Sequence, residues 1–295
     1  MKILIISDMH SNPEALKAII KAEGNADKIY FAGDFVDYGP DPAGAIKLAR
    51  ELGIQAVSGN HDRRVLRVFE SDEYLNSHTT GRMDSVYGPV DVNAPNIRWV
   101  DLNCGRAKEI ACQAGLSCVS TDDLDFLRTL PRTLSFTADG IAYLMSHQYD
   151  DGYGTIQTRY HFDKFWEEHF DLPECKDMPR RMIFGHTHRQ LTVKIDGDRL
   201  WMNPGSVSYR RPDDPSKDAF YIMITDGVIE MKHVPYERSA LYDAVLRVKP
   251  MLHPDELRVA EFFFGKNEAD GPDHEWLEFL DGIVAARKNE IKKRQ

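Results

Sequence analysis

The stretch Lys2-Ile3-Leu4-Ile5-Ile6-Ser7-Asp8-Met9-His10 opens the chain, and its reading decides the fold. A continuous apolar run between polar ends, with no alternation, reads as a strand buried on both faces, the kind found in parallel sheets covered by helices. Asn12 followed by Pro13 then reads as a helix start. Asn is a favoured cap, and Pro in the first turn lacks an N–H that would be unpaired there anyway. The helix runs on Leu16, Ile19 and Ile20 to about Glu23, and Gly24 ends it. The same order repeats, with a strand at Lys28–Ala32, a helix over Pro42–Leu52 closed by Gly53, and a strand at Ile54–Ser58. Strand, helix, strand, helix, strand is an α/β core with right-handed crossovers.

Further along, Arg63–Phe69 has a helical pattern, and Ser71–Asn103 is polar and broken by Gly81, Gly88, Pro89 and Pro95. So long an irregular stretch within a compact fold suggests a cap or binding loop with short helical pieces. Ser120 with Asp123 makes a capping box for a helix from Thr121 to Leu130. Two-residue Asp-Gly turns at Asp139-Gly140 and Asp226-Gly227 join strands Thr133–Thr137 to Ile141–Ser146 and Ala219–Thr225 to Val228–His233. Asp196-Gly197-Asp198 joins Leu191–Ile195 to Arg199–Met202. A helix over Tyr160–Phe170 and a strand at Met182–Phe184 complete the body, which reads as residues 1–238. Residues 239–295 read as a helical extension packed on that core, with helices over Ser239–Leu246, Pro254–Phe264 and His274–Lys292. In the last of these, Trp276, Phe279, Leu280, Ile283 and Val284 share one face. Such a stripe must be buried, and burial on the chain's own body, hence a monomer, is favoured over a homodimer.

Composition narrows the function. The 295 residues are 42% hydrophobic and 28% charged, which fits an ordinary globule and excludes a disordered or fibrous chain. The net charge of −10 argues against binding to duplex nucleic acid but not against a small phosphorylated substrate, because metal ions invert the local field. Four scattered cysteines lack zinc-ribbon spacing and read as free thiols. No signal-peptide pattern is present, and no apolar run approaches the roughly 18 residues of a membrane span, so a cytoplasmic location is the default expectation.

The chemistry gathers where strands end. Asp8 and His10 follow the first strand, Asp34 the second, Asn60 and His61 the third. His147 follows Ile141–Ser146, and His186 and His188 follow Met182–Phe184. Ligands bind outside the carboxyl ends of strands in open α/β sheets, so one sheet edge would carry all of these. Each alone has a plain structural explanation, and an aspartate after a strand usually caps a turn. Together they form an oxygen and imidazole donor set, without thiolate, suited to Mn²⁺, Fe²⁺, Zn²⁺ and similar ions. Seven such donors exceed one closed tetrahedral site and suit two ions sharing a carboxylate. Asp37 and Asp62 are better placed to orient histidines and turns.

Asp8-Met9-His10, Gly33-Asp34 with Asp37, Gly59-Asn60-His61-Asp62, His147 and Gly185-His186-Thr187-His188 resemble the ordered blocks of the calcineurin-like metallophosphoesterases. The resemblance spans roughly residues 1–234. Gly33-Asp34-Phe35-Val36-Asp37-Tyr38-Gly39-Pro40-Asp41 and Asn203-Pro204-Gly205-Ser206 are similar to the branch of small bacterial phosphodiesterases and dinucleoside-tetraphosphate hydrolases. It implies a four-layer α/β/β/α sandwich and two divalent transition-metal ions, manganese first, with iron, zinc or nickel as alternatives. It further implies that Asp8, His10 and His188 hold one ion, that Asn60, His147 and His186 hold the other, and that Asp34 bridges. His61 would contact the phosphoryl oxygen or protonate the leaving group. Arg64 and Asn12 are candidate substrate contacts, each with a competing role, a salt bridge for Arg64 and a helix cap for Asn12. Gln148 stands where the family often has glycine, which bears on substrate shape rather than on metal binding. The expected activity is hydrolysis of a phosphate mono- or diester, with a nucleotide among the candidate substrates. The alternatives are a quiet metal-binding interaction module and a nuclease.

Overall fold

Alternation along β1 (Lys2–Ile6) organises the molecule. Leu4 and Ile6 enter one apolar cluster, while Ile3 and Ile5 enter another on the opposite face. The computed structural model describes residues 1–70, 97–150, 155–156, 158–175, 177–197, 199–208, 216–253 and 256. Within them β1 pairs in parallel with β2 (Lys28–Phe31), which pairs in parallel with the short β3 (Gln55–Ala56). On its other side β1 runs antiparallel to β9 (Ala219–Thr225), which carries β10 (Val228–Val234) as an antiparallel edge. The second sheet has the order β4 (Thr133–Ala138), β5 (Ile141–Ser146), β6 (Arg180–Ile183), β8 (Arg199–Pro204), β7 (Gln190–Asp196). Its inner strands β5, β6 and β8 are parallel, and both edges are antiparallel.

The two sheets face each other through Ile3, Ile5, Ile222 and Ile224 on one side and Tyr143, Met145, Ile183 and Met202 on the other. Outside the first sheet lie α1 (Pro13–Glu23), α2 (Pro42–Glu51), α3 (Asn60–Glu70) and α6 (Thr121–Thr129), which share a core with Leu4, Ile6 and Phe31. Outside the second, α7 (Arg159–His169) packs Phe162, Phe165 and Trp166 on Leu144, Met182 and Trp201. The architecture is therefore the expected α/β/β/α sandwich.

Several local expectations shift. The third strand shrinks to two residues because Ser58 turns its amide to Pro131 O (2.8 Å) instead of continuing the ladder. The helix expected from Arg63 starts at Asn60, so Asn60 and His61 lie on its first turn. Asn12 precedes α1, but its side chain does not cap it; Nδ2 donates to Tyr236 OH at 2.9 Å instead. The excursion ends in α4 (Trp99–Asn103), one of the short helical pieces expected there, and α5 (Lys108–Gln113), which follows it, was not foreseen. Helix α8 (Ser239–Val248) buries Leu241, Ala244, Val245 and Val248 against Trp99, Leu102 and Ala111 of those helices. Trp99 is thereby fully buried. The expected helix over His274–Lys292, its apolar stripe and nearly all of Pro254–Phe264 lie outside the described residues, as do residues 71–96 of the excursion. Among the described residues no helix is long and apolar enough to cross a membrane.

Candidate metal centre

Asp8 and His10 leave the end of β1, and Asp34 leaves the end of β2. His147 follows β5, while His186 and His188 follow β6. The turns that carry them are tight. Asp8, His10, Ser11, Asp34, Asp37, Tyr38, His186 and His188 all have φ between 46° and 77°. Non-glycine residues in this region cost about 1–3 kcal/mol each and persist where the surroundings over-determine them, typically at functional sites. Glycine is required beside them. A Cβ on Gly59 would overlap Asp34 Oδ1, and one on Gly33 would come within 2.7 Å of His147 Nδ1.

These turns gather two groups of donor atoms, Asp8 with His10 and His188, and Asp34 with His147 and His186, each group within 4.8 Å. Each carboxylate is half satisfied. Asp8 Oδ2 accepts the His186 amide at 3.2 Å, and Asp34 Oδ1 accepts the His61 amide at 2.8 Å. The other oxygens, Asp8 Oδ1 and Asp34 Oδ2, are buried without a well-aligned hydrogen-bond donor. What each meets is an imidazole Nε2 at 3.1 Å, from His188 and His147 respectively. The His147 ring donates from Nδ1 to Ala32 O at 2.7 Å, which leaves the lone pair of its neutral form on Nε2, facing Asp34. Two lone pairs aimed at one buried point call for a cation. Asn60 Oδ1 completes this group at 2.9 Å from both His147 Nε2 and His186 Nδ1. The oxygen and imidazole set fits divalent ions of the harder and borderline kind.

Without an ion, protons take up part of that role. Burial opposes charge on His147, but the Asp34 carboxylate outweighs it and pushes the pKa up to about 9. Burial, and then the neighbouring His61, bring His10 down to about 3; burial, and then His147, bring His186 down to about 4. Both rings are neutral at pH 7, as ligands must be.

Beside the two groups, His61 Nδ1 lies 2.9 Å from Asp37 Oδ2, and Arg64 Nη1 reaches the same oxygen at 3.1 Å. Burial disfavours the charged His61 ring, but Asp34 and Asp37 more than offset this, so its pKa is raised. Asp62 has a different task. Its carboxylate accepts the amides of Asp34, Phe35, Val36 and Gly59 at 2.8–3.2 Å and so shapes the turn that presents Asp34. Asn203 Nδ2 donates to Gly185 O (2.6 Å) and Thr187 Oγ1 (3.0 Å), and Ser206 and Ser208 donate to Asp8 O. The Asn203-Pro204-Gly205-Ser206 block thus supports the metal turns from behind. Asn12 is buried next to the first group, and Arg64 is committed to Asp37. Sequence reading passed over Asn103, which bonds the turn around Asp37, and Glu256, whose Oε2 accepts the Trp99 amide at 3.1 Å. Nothing in an isolated asparagine or glutamate signals such contacts.

An α/β/β/α sandwich with paired carboxylate and histidine groups at one sheet edge is the arrangement of a metal-dependent phosphoesterase. The chain belongs to the calcineurin-like phosphoesterase superfamily, whose domain profile matches residues 1–226, and it is a metallophosphoesterase, a family that uses divalent metal ions. It is 28% identical to an uncharacterized protein of Methanocaldococcus jannaschii over 83% of this chain and 92% of that one. It is 31% identical over 123 residues to a symmetrical bis(5′-nucleosyl)-tetraphosphatase of Vibrio cholerae, a match covering 38% of this chain and 44% of the relative. A metallophosphoesterase crystal structure from Sphaerobacter thermophilus shares the fold at a TM-score of 0.58 and 20% identity, covering 89% of this chain and 98% of that one. A hypothetical protein of Pyrococcus horikoshii does so at 0.58 and 14%, covering 90% and 99%.

Proposed function

We propose that the chain hydrolyses a phosphate mono- or diester at a two-ion centre, with Asp8, His10 and His188 on one ion, Asn60, His147 and His186 on the other, and Asp34 on both. The observation that carries this is the pair of buried oxygens, Asp8 Oδ1 and Asp34 Oδ2, each facing an imidazole nitrogen in adjacent groups. Bound divalent ions supply a hydroxide at neutral pH and Lewis-acid stabilisation of the phosphoryl oxygens. Mn²⁺ suits the donor set, with Fe²⁺, Zn²⁺ and Ni²⁺ as alternatives. His61 gives Nδ1–H to Asp37, which leaves Nε2 to donate to a phosphoryl or departing oxygen. Asp34 and Asp37 raise its pKa, which favours the doubly protonated ring that such donation needs. Arg64 adds a fixed positive charge next to it, as phosphoryl transfer requires. Asn12 is fully buried with one of its two amide N–H donors on Tyr236 OH, which makes it the weaker of the two proposed substrate contacts.

The tetraphosphatase relative supports a small phosphorylated substrate, with nucleotides first among them. Four free cysteines, and the absence of a membrane-crossing helix among the described residues, support a cytoplasmic setting. The test is a panel of phosphomonoesters, simple phosphodiesters, cyclic nucleotides and dinucleoside polyphosphates, assayed with added Mn²⁺ and again after chelation. Turnover of at least one class, abolished by chelator and restored by the ion, is expected. A protein that binds two ions and turns over nothing on the panel contradicts the reading.

A further inference from the structure

Asn103 closes α4, in a part of the chain that supplies none of the metal or phosphate chemistry described above. Its side chain is nevertheless 1% exposed and fully engaged with the catalytic loops. Oδ1 accepts the Asp37 amide at 2.9 Å and the Ser11 hydroxyl, while Nδ2 donates to Gly39 O at 3.0 Å. The amide can take only this orientation, because a flip would set its NH₂ against the Asp37 N–H and its oxygen against the Gly39 carbonyl. Ser11 follows His10, and Asp37 holds His61 and Arg64. The two loops also meet directly, Asp41 N donating to Ser11 O at 2.9 Å. Ser11, Asp37 and Tyr38 all have positive φ, so these loops need outside restraint to hold their form. Helix α4 is itself pinned between two cores, with Val100 and Cys104 in the core of the first sheet and Trp99 and Leu102 in the cluster that includes α8. Tyr38 packs against that second cluster, its ring 4.7 Å from His61 and 5.6 Å from His10.

Resting on the phosphoesterase reading, we propose that Asn103 is a positioning residue: it clamps the loop that presents His10 to the loop that presents the Asp37–His61 pair, so that the accessory helices set the alignment of the reaction site. One amide holding both loops fixes the distance between the metal side and the proton-donating side. A displacement of about 1 Å at such a centre lowers the rate by up to about a hundredfold without altering ground-state affinity in proportion.

Three variants test this. Asn103→Leu removes all three bonds at near-constant volume. Asn103→Asp keeps the acceptor for Ser11 and Asp37 and loses the donor to Gly39. Leu102→Ala weakens the packing of the same helix while keeping all three Asn103 bonds. Asn103→Leu should lower kcat about 10- to 100-fold with KM within about twofold. It should also speed amide exchange across residues 36–41 in the metal-free protein. Asn103→Asp should fall between it and the wild type. Leu102→Ala should lower Tm while leaving kcat and that exchange unchanged. The proposal is overturned if Asn103→Leu keeps wild-type kcat and exchange, or if Leu102→Ala slows turnover as much at an equal loss of Tm. A wild type inert on the whole substrate panel removes the phosphoesterase reading and this role with it, whereas an active wild type with a silent Asn103→Leu removes this role alone.

Discussion

On the proposed reading His61 is the residue on which the chemistry turns, because it lies beside the two donor groups without belonging to either, and Asp34 and Asp37 favour its charged form. Its ring is held by Asp37 Oδ2 and its amide by Asp34 Oδ1, so position and charge come from two different carboxylates. Replacing it with alanine would remove the proposed proton donor and leave both candidate ligand groups in place. His61→Ala should therefore lower kcat by about 10²–10⁴-fold, while elemental analysis still finds both ions. Loss of an ion in this variant would reassign His61 to the metal. Gly59→Ala tests the opposite case. The added Cβ would strike Asp34 Oδ1, so the oxygen that receives the His61 amide moves and the rest of the Asp34 carboxylate moves with it. This variant should lose metal as well as activity, most readily seen as bound Mn²⁺ per chain after desalting. The gathering of Asp8, His10, Asp34, His147, His186 and His188 at one edge was legible because both their types and their places after strands carry the signal. Asn103 was not, because its partner Asp37 lies 66 residues away and an asparagine ending a five-residue helix carries no local pattern.

At the scale of elements, the turns were the most readable feature. Asp139 and Gly140 have φ of 50° and 74°, and Asp226 and Gly227 have 49° and 80°, the left-handed pair that a two-residue hairpin requires. The capping box of α6 forms as written, Ser120 and Asp123 exchanging bonds. The six-residue α5 escaped notice because so short a helix does not complete enough turns to show a period. How the elements lock together is also hidden from periodicity. Glu23, at the end of α1, accepts the Tyr221 hydroxyl of β9 at 2.6 Å and meets Lys232 of β10 at 2.5 Å. Burial opposes its ionisation, but Lys232 and Tyr221 outweigh this and hold its pKa below the ordinary 4.5. A folded-state pKa below the unfolded one means that the stabilisation is complete above the ordinary value and is lost as pH falls through the depressed one. Glu23→Gln should thus lower Tm by a few degrees at neutral pH, and the gap from wild type should close as thermal melts are taken to progressively lower pH through the acid range. A gap that widens on acidification would show that the carboxylate is not what ties α1 to the sheet.

The whole molecule places its chemistry at a seam. Asp8, His10 and Asp34 come from the sheet built around β1, whereas His147, His186 and His188 come from the sheet built around β5 and β6. Each three-residue group draws on both sheets. An ion in either position therefore joins the two halves of the sandwich at the edge where their apolar contacts end. In its absence the same edge holds two buried carboxylates and several imidazoles whose mutual attractions depend on shared protons. Metal binding should consequently act on global stability as well as on activity. A ligand that binds only the folded state stabilises it by about 2.7 kcal/mol at a hundred times its Kd, and for a chain of this size each kcal/mol raises Tm by about 2–4 °C. Calorimetry of chelated and Mn²⁺-loaded protein should show a rise in Tm of at least several degrees on loading. His188→Ala removes one link from the first group only, and Asn60→Ala one from the second, so each should forfeit part of that rise. A rise that survives both substitutions intact would place the stabilising ion elsewhere and break the connection between the seam and the metal.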